Sequence, residues 1–300
     1  MIAITGATGF IGVHLIKALQ ERGVAFRCLV RANSTRVSQV KALTEHVVQV
    51  DYSRPETLRK AFTGCDVLVH ALGLINGSEE ELREANIECP RRVFEAATKA
   101  SVERVVFISS VAALRRHGPY GVTKSEGEDV LRSSGIPYII LRPAYVYGVG
   151  DENNTALMLR TLKRFPVIPV LGGGQFRLQP VYVDDVCDLI VQALRCKTWN
   201  RAYTVAGPEQ ITLWSMLKLL AGGLGVSRLL VPIPLKPVQA LMRFYLRFFP
   251  ETKLPAKQIL ELDKHEAFDI SETQSNFNFK PRPFREGVEG MFTGDLCAAL

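Results

Sequence analysis

A phenol and an ammonium group lie four residues apart, at Tyr120 and Lys124, in a stretch with helical periodicity. On a helix this spacing puts both side chains on one face. A tyrosine ordinarily titrates near pH 10, and a neighbouring lysine charge stabilises the tyrosinate and lowers that pKa. Ser110 ends the preceding apolar run and could hydrogen-bond a substrate oxygen. The three side chains together predict a proton relay that works beside a hydride carrier.

A glycine-rich turn near the start of the chain joins a short apolar run, residues 2–4, to an amphipathic helical pattern. Gly6 would allow a tight turn, Gly9 would let the backbone approach a pyrophosphate, and Gly12 would let the helix pack closely on the strand. The N-terminus of that helix offers free N–H groups and the positive end of a dipole to phosphates. This context favours a dinucleotide site over a glycine turn without a ligand.

The second predicted strand covers residues 25–30, and the residues that follow it bear on the choice between NADP and NAD. Arg31 comes first, followed by Ser34 and Arg36, and no acidic residue stands among them. An acid there would accept the ribose 2′-hydroxyl, whereas arginine suits a 2′-phosphate. We therefore predict NADP as the cofactor, with NAD as the second choice and a pair of solvated arginines as the alternative. Asp51, after the third strand, could accept a hydrogen bond from adenine or cap the following turn.

Strands that alternate with helices over the first half of the chain predict an α/β fold with a Rossmann-type, doubly wound parallel sheet. The right-handed crossover rule brings the carboxyl ends of the strands to one edge, where a ligand crevice forms. The residues predicted at these ends are Gly6, Arg31, Asp51, Gly73 and Ser110. We expect residues 1–150 to form an NAD(P)-binding core, and residues 151–300 to complete the sheet and form a smaller substrate-binding lobe.

The composition narrows the kinds of partner. Formal net charge is +7 and the isoelectric point is about 9.1, which favours anionic partners. No block of lysine and arginine and no nucleic-acid motif is present, so nucleic acid is not expected. Six cysteines are scattered without a CxxC pair, which predicts neither a disulfide framework nor a metal site.

The distribution of apolar residues predicts where the protein works. No apolar run reaches about 18 residues without charge or proline, so no membrane span is expected. The first strand begins at residue 2, which leaves no room for a signal peptide ahead of it. We therefore expect the protein in the cytoplasm, either free or peripheral to the inner face of a membrane.

Residues 237–249 are the least expected stretch of the C-terminal half. Apolar residues share one face of the predicted helix there, and Arg243 and Arg247 lie four apart on another. A basic amphipathic helix of this kind can lie on a membrane surface. The alternative, which we favour at this point, is a helix that packs on its own domain or on a partner subunit.

The motifs together are similar to those of the extended short-chain dehydrogenase/reductases, the NAD(P)-dependent epimerase/dehydratase group. The resemblance covers residues 1–210 approximately, and its stretches are residues 5–12, Asn86, residues 107–110, 120–124, 141–148 and 180–185. By this resemblance Tyr120 is the general acid/base and Ser110 orients the substrate oxygen. Lys124 lowers the pKa of Tyr120 and holds the nicotinamide ribose.

The resemblance also implies a set of cofactor contacts along the strand ends, but no metal. The expected contacts are Gly6, Thr8, Gly9, Phe10, Ile11, Gly12, Arg31, Arg36, Asp51, Tyr52, Ala71, Leu72, Gly73, Asn86, Ser109, Tyr120, Lys124, Pro143, Ala144 and Val146. Arg177, after a run of three glycines, resembles the arginine that meets a substrate diphosphate in the sugar-nucleotide members.

The resemblance implies an oxidoreductase or epimerase that acts on a hydroxyl/carbonyl pair of a small molecule, either a nucleotide sugar or a lipophilic alcohol. Two departures bear on the sugar nucleotide: Tyr145 stands where many such enzymes have asparagine, and only ten positions separate Ser110 from Tyr120. Residues 172–185 also look like the branch with the accessory NAD(P)-binding subunit of respiratory complex I. That branch supplies the alternative of a non-catalytic NADP(H)-binding subunit in a larger membrane-associated complex. Self-association is left open.

Overall fold

The computed structural model describes residues 1–116, 118–152, 154–248 and 267–293. They form two compact units, each built from separated stretches of the chain. The first unit comprises Met1–Ala144, Val183–Ala206 and Asp269–Lys280. The second comprises Tyr145–Tyr182 and the described residues within Gly207–Phe268 and Pro281–Leu300.

A seven-stranded sheet forms the centre of the first unit, and all of its strand pairs are parallel. Its strands are β1 (Ile2–Thr5), β2 (Phe26–Arg31), β3 (Val47–Val50), β4 (Val67–His70), β5 (Arg104–Ile108), β6 (Tyr138–Pro143) and β11 (Arg201–Val205). Their order across the sheet is β11-β6-β5-β4-β1-β2-β3. Strand order reverses beside β1, which is where a doubly wound sheet opens a ligand crevice. The predicted fold class is confirmed.

Helices cover both faces of the sheet, and two of its inner strands are therefore buried along their whole length. All four residues of β1 and all four of β4 are buried, as expected for parallel strands with both faces covered. The helical segments of this unit are Phe10–Glu21, Val37–Leu43, Pro55–Phe62, Glu79–Arg83, Glu84–Glu88, Cys89–Lys99, Ala112–Arg115, Gly118–Ser133, Val183–Ala193 and Ser271–Phe277. Glu84–Glu88 is a π-helical segment between Glu79–Arg83 and Cys89–Lys99, in a stretch where the sequence pattern predicts one long helix over residues 79–100.

The second unit combines short strand pairs with helices. Its strands are β7 (Val146–Tyr147), β8 (Val167–Leu171), β9 (Arg177–Leu178), β10 (Val181–Tyr182), β12 (Ile211–Thr212) and β13 (Leu229–Ile233). They pair as β7 with β10, β8 with β13, and β9 with β12. Its helical segments are Asn154–Arg164, Gly172–Gly174, Leu213–Gly223, Leu235–Phe248 and Phe284–Phe292.

An aromatic cluster holds the core of the second unit. The ring of Tyr147 contacts those of Phe284 and Tyr182, with centroids 4.6 and 5.3 Å apart. The helix predicted in residues 237–249 begins earlier, and Leu235–Phe248 is its described extent. Phe249 lies outside the described residues, and so do residues 255–263, where the sequence also predicts a helix.

Candidate active site

The glycine turn after β1 packs so closely on its surroundings that side chains would not fit. Gly6 adopts a left-handed φ of +77°, and a Cβ there would stand 2.5 Å from the carbonyl carbon of Ala71. A Cβ on Gly12 would stand 2.2 Å from the carbonyl oxygen of Gly6. The turn therefore touches the loop that follows β4, and the first helix approaches the turn at backbone distance.

The helix Phe10–Glu21 begins with its backbone donors available. Gly9 is the N-cap residue, and no side chain among the described residues caps this end. Thr8, Phe10 and Ile11 are half-buried around it. A helix start of this kind presents N–H groups and a positive dipole end to an anion.

At the end of β2 and after it, basic side chains lie at the surface, whereas the Asp51 carboxylate takes part in a turn after β3. Arg31 and Arg36 are exposed. Asp51 accepts hydrogen bonds from the backbone nitrogen and Oγ of Ser53, at 2.9 and 2.6 Å, which hold the pKa of its carboxyl below the usual value. The hydroxyl of Tyr52 donates to the carbonyl oxygen of Leu29 inside the core. The sequence left two roles open for Asp51, an acceptor for adenine or a cap of the following turn, and the geometry shows the cap.

Asn86 ties the loop after β4 to the helices beneath it. Its Oδ1 accepts from the Leu74 nitrogen at 2.9 Å, and its Nδ2 donates to the Leu74 oxygen at 2.9 Å and to Thr123 Oγ1 at 3.1 Å. Asn86 lies in the π-helical segment, a type of insertion that is frequent at functional sites. Its side chain is buried, so what it does here is fix the loop that carries Ala71 and Leu72.

Tyr120 and Ser110 face each other through their side chains, and the Ser110 hydroxyl lies close enough to the phenol to lower its pKa. Ser110 Oγ also accepts from the backbone nitrogen of Ala112 at 3.2 Å. The one-turn helix Ala112–Arg115 spans the short connection between them. Burial raises the pKa of Tyr120, and the nearby Ser110 hydroxyl only partly opposes this. Lys124 is not among the groups that shift this pKa here, so its predicted effect on Tyr120 stays a prediction.

Lys124 lies inside the first unit, 3% exposed. Its Nζ donates to the carbonyl oxygen of Ile108 at 2.9 Å and stands 4.6 Å from the centre of the Phe107 ring. A Cβ on Gly73 would stand 3.4 Å from the same Nζ, so the ammonium lies beneath the loop after β4. Burial lowers the pKa of Lys124 to about 8, against the opposing effect of the Glu128 carboxylate.

A buried carboxylate organises the edge next to Lys124. Ser109 Oγ donates to Glu128 Oε1 at 2.6 Å, and Arg142 binds both carboxylate oxygens, at 2.8 and 2.5 Å. Arg132 adds a third basic contact at 2.7 Å. Burial opposes ionisation, yet the hydrogen bonds from Arg142 and Ser109 hold the pKa of Glu128 below its usual value. Ser109, an expected cofactor contact, thus directs its hydroxyl to Glu128.

Sequence reasoning did not identify Glu128 or Arg142. A signal existed for the first, because Glu128 follows Lys124 by four residues and therefore shares its helix face. Arg142 lies inside the matched stretch 141–148, but nothing in that stretch says which acid it meets. The pairing joins residues from a helix and a strand, so it needed the tertiary structure.

His70 is a second buried group that the sequence analysis passed over. Its Nδ1 shares a hydrogen bond of 2.8 Å with Thr5 Oγ1, while its Nε2 has no hydrogen-bond partner among the described residues. The rings of Phe94 and Phe107 pack against it. Burial, together with the Lys124 charge, lowers the pKa of His70 to about 3. The imidazole is neutral at physiological pH and links the ends of β1 and β4.

The remaining expected contacts divide between the two units. Pro143 is buried and Ala144 half-buried at the end of the first unit's β6, and the Ala144 nitrogen donates to the Val205 oxygen at 2.8 Å. Val146 lies in β7 and Arg177 in β9 of the second unit, where Arg177 is exposed. Within the described residues, no group of three His, Cys, Asp or Glu side chains is arranged to hold a metal ion.

Comparison with known proteins assigns the chain to a family. The model of the NAD dependent epimerase/dehydratase family matches residues 2–206, which contain the glycine turn, Ser110, Tyr120 and Lys124. The structure resembles that of UDP-glucuronic acid 4-epimerase from Bacillus cereus in complex with UDP-glucuronic acid and NAD. The TM-score is 0.78 at 19% identity, over 100% of this chain and 99% of that one. At that identity the likeness concerns the fold.

Three relatives show the range of the family. Ceramide reductase from Caulobacter vibrioides is 34% identical over 65% of this chain, and the alignment spans 61% of that protein's length. A 4-hydroxy-2-methyl-3-oxo-4-farnesyl-3,4-dihydroquinoline-1-oxide ketoreductase from Stigmatella aurantiaca is 26% identical over 85% of this chain and 84% of its own length. NADH dehydrogenase [ubiquinone] 1 alpha subcomplex subunit 9 of Mus musculus is 27% identical over 77% of this chain and 63% of its own length.

The predicted resemblance is therefore confirmed, including the distant likeness to the complex I subunit. So is the prediction of an enzyme class, at the level of the family, since named relatives are reductases and epimerases. With its Rossmann-type sheet, its glycine turn and the Tyr120–Ser110–Lys124 edge, this chain belongs to the NAD dependent epimerase/dehydratase family.

Proposed function

We propose that this chain is an NADP(H)-dependent reductase that interconverts a carbonyl and a hydroxyl group on a lipophilic substrate. The observation that carries the proposal is the juxtaposition of the Tyr120 phenol with the Ser110 hydroxyl, beside the helix that carries both Tyr120 and Lys124. A proton donor and a hydroxyl that can hold the same oxygen are thereby joined at the edge where the strands end.

The residues around the glycine turn suit a dinucleotide. The space at Gly6 and Gly12 is already filled to backbone distance, and the helix start at Gly9 leaves its N–H groups free of side-chain caps among the described residues. Gly6, Gly9 and the first turn of Phe10–Glu21 would hold the pyrophosphate. Lys124 would hold the nicotinamide ribose from beneath the loop after β4.

The protonation state of Tyr120 favours reduction. A nicotinamide cofactor, when bound, supplies the hydride for such a reaction. Because burial raises the pKa of Tyr120, its phenol is protonated at neutral pH and can donate a proton to a carbonyl oxygen. Ser110 can hold that oxygen by a second hydrogen bond. In the reverse direction Tyr120 accepts the proton, and the ammonium of Lys124 favours the tyrosinate.

Arg31, which ends β2, and Arg36 support NADPH over NADH. Arg31 and Arg36 are exposed where a 2′-phosphate would lie, while Asp51 is engaged by Ser53. Titration of the protein with each cofactor, monitored by nicotinamide fluorescence, should show tighter binding of NADPH than of NADH. Replacement of Arg31 by Ala should weaken NADPH binding by about tenfold or more, the value of one charge-assisted hydrogen bond, and leave NADH nearly unchanged. Equal loss for both cofactors would contradict the 2′-phosphate role.

The lipophilic substrate class rests on the relatives. Two of them carry names with long-chain or farnesylated substrates, a ceramide and a farnesyl dihydroquinoline oxide. Tyr145 of this chain, where many sugar-nucleotide enzymes have asparagine, shares a hydrogen bond of 3.1 Å with Thr155 within the second unit. Both observations favour a lipophilic carbonyl over a nucleotide sugar.

The test is NADPH oxidation with a panel of long-chain and prenylated ketones, with UDP-sugars as the competing class. Replacement of Tyr120 by Phe should lower turnover by about 10²- to 10⁴-fold and leave NADPH binding intact. Tyr138→Phe is the matched control, because Tyr138 begins β6 at the opposite edge of the sheet and should keep wild-type turnover. Unchanged turnover in Tyr120→Phe would refute the assignment of the relay.

The likeness to the complex I subunit favours one alternative, a non-catalytic NADP(H)-binding subunit of a larger membrane-associated assembly. This alternative requires the same dinucleotide site but predicts no turnover. Tight NADPH binding without turnover on either substrate class, together with co-purification of a stoichiometric partner, would select this alternative.

A further inference from the structure

The helix Leu235–Phe248 of the second unit leaves large apolar side chains in solvent. Leu241, Phe244 and Phe248 are 60%, 64% and 60% exposed, and the two phenylalanine rings meet edge to face at 5.1 Å. The exposed apolar residues recur at spacings of three and four, which makes one stripe along the helix: Pro237, Ala240, Leu241, Phe244 and Phe248. Single exposed apolar residues are ordinary, whereas a continuous stripe marks an interaction surface.

A row of positive charge runs beside this apolar stripe. Lys236, Arg243 and Arg247 are exposed, and at 3.6 residues per turn they fall within about 40° of one another around the helix. Their centre lies about 100° from that of the apolar stripe. The sequence from Leu235 to Phe248 contains no aspartate or glutamate. The exposed half of the helix is therefore apolar along its middle and basic along one side.

The opposite half of the same helix is the one that packs. Gln239 is buried, and Val238, Met242 and Leu246 are half-buried. The helix is thus held along one side and presents the other. Within the described residues no helix is both long and apolar enough to cross a membrane.

We propose that the exposed side of Leu235–Phe248 binds the surface of an anionic lipid bilayer. Phe244, Phe248 and Leu241 would enter the boundary between headgroups and acyl chains, and Arg243 and Arg247 would meet lipid phosphates at headgroup level. The net charge of +7 attracts the whole chain to such a surface. A second copy is a poorer occupant, because pairing two such helices would bring basic side chains together without an acid on either.

This inference goes beyond the proposed reductase and does not depend on turnover or cofactor. The experiment is co-sedimentation of the full chain with phosphatidylcholine vesicles, with and without phosphatidylglycerol, in the absence of NADPH and substrate. Wild type should sediment with the anionic vesicles and remain in solution with the neutral ones. Higher ionic strength should weaken the binding, because surface charges are screened.

Two sets of variants separate the apolar and the electrostatic contributions. Phe244→Gln with Phe248→Gln should remove most of the sedimentation. Arg243→Gln with Arg247→Gln should lower the partition coefficient by about 25-fold, at about fivefold for each basic residue. Leu157→Gln with Lys163→Gln is the matched control on another helix of the same unit, since Leu157 is 61% exposed and Lys163 is also exposed. That control should bind as wild type does.

The outcomes decide between occupants. All of these side chains are exposed, so circular dichroism and thermal melting should show folded variants. The proposal is overturned if the wild type ignores anionic vesicles, or if the phenylalanine variant binds them as well as wild type. It is equally overturned if the same variant instead abolishes a dimer in sedimentation velocity, because the occupant is then a second copy. A failure here leaves the NADPH and Tyr120 tests of the reductase untouched.

Discussion

The carboxylate of Glu128 and the ring of Phe244 each stand in the environment that their chemistry disfavours. Glu128 is 1% exposed, inside the first unit, and Phe244 is 64% exposed, on the second. The difference is in their partners. Glu128 receives hydrogen bonds from Ser109, Arg142 and Arg132, whereas Phe244 has the Phe248 ring beside it and solvent on its outer side.

A buried charge is tolerated only with its partners in place, and the chain itself supplies the partners of the Glu128 carboxylate. An exposed apolar stripe is not covered by other described parts of the chain, so it marks a surface that can bind another molecule or a membrane. Substitutions in the Glu128 network should therefore lower the free energy of unfolding. Substitutions in the apolar stripe should have a large effect only on binding to its external partner.

The largest effect is expected from Glu128→Gln. This change leaves the guanidinium of Arg142, whose side chain is 16% exposed, without its opposite charge. Breaking a buried pair from one side costs about 3–5 kcal/mol, so the free energy of unfolding should fall by that amount in urea titration. Asp129→Asn is the matched control, because this exposed carboxylate also pairs with Arg132, at 2.8 Å, and its loss should cost about 1 kcal/mol or less. Similar costs for both variants would break the comparison.

A somewhat smaller effect is expected from Gly12→Ala. The added Cβ would meet the carbonyl oxygen of Gly6 at 2.2 Å, and the turn must shift to admit it. Overpacking of this kind costs about 1–3 kcal/mol and should also weaken NADPH binding. Gly222→Ala is the control, since a Cβ there meets no atom of the described residues within 4 Å and alanine is the better helix former. Wild-type stability and NADPH affinity in Gly12→Ala would show that the turn is looser than its geometry indicates.

The pH dependence of the reaction should report on Lys124. Burial lowers the pKa of Lys124 to about 8, so its ammonium is charged below that pH and loses its proton above it. If the ammonium holds the ribose and favours the tyrosinate, kcat/KM should fall by up to about tenfold for each unit of pH above 8. Lys124→Arg, which keeps its charge, should lack this alkaline decline. A wild-type profile that stays flat from pH 7 to about pH 9.5 would contradict the role of Lys124.

The smallest effect is expected from Phe244→Ala without lipid. An exposed side chain contributes little to folding, so the free energy of unfolding should change by no more than about 0.5 kcal/mol. Phe284→Ala in the same unit is the contrast, because Phe284 is 1% exposed and its truncation should cost about 3–5 kcal/mol. A large loss in Phe244→Ala would show that the stripe belongs to the core, and the comparison with Glu128 would fail.

Much of the first unit was predictable because its signals are local. The spacing of Gly6, Gly9 and Gly12 after an apolar run indicates strand, turn and helix within a dozen residues. The alternation of apolar runs with helical patterns then indicates a parallel sheet, and the strand ends follow from the crossover rule. Tyr120 and Lys124 could be chosen because four residues is one helical turn.

Partners across the fold could not be chosen in that way. Nothing local says that Ser110 faces Tyr120 while its neighbour Ser109 turns to Glu128, because successive residues after a strand point in different directions. The same holds for the raised pKa of Tyr120. It depends on how much of the phenol is buried, a property of packing rather than of spacing.

The parallel sheet, the glycine turn and the residue types that can move a proton were all predictable from local patterns along the chain. These features depend on periodicity and on conformational limits that act over a few residues. Which charges are buried together, and which apolar side chains remain exposed, depends on how distant elements pack. Glu128 meets Arg142 from another element, and Phe244 stays in solvent because the helix Leu235–Phe248 packs by its other side. Burial is the sum of contacts from distant parts of the chain, so no single stretch contains it.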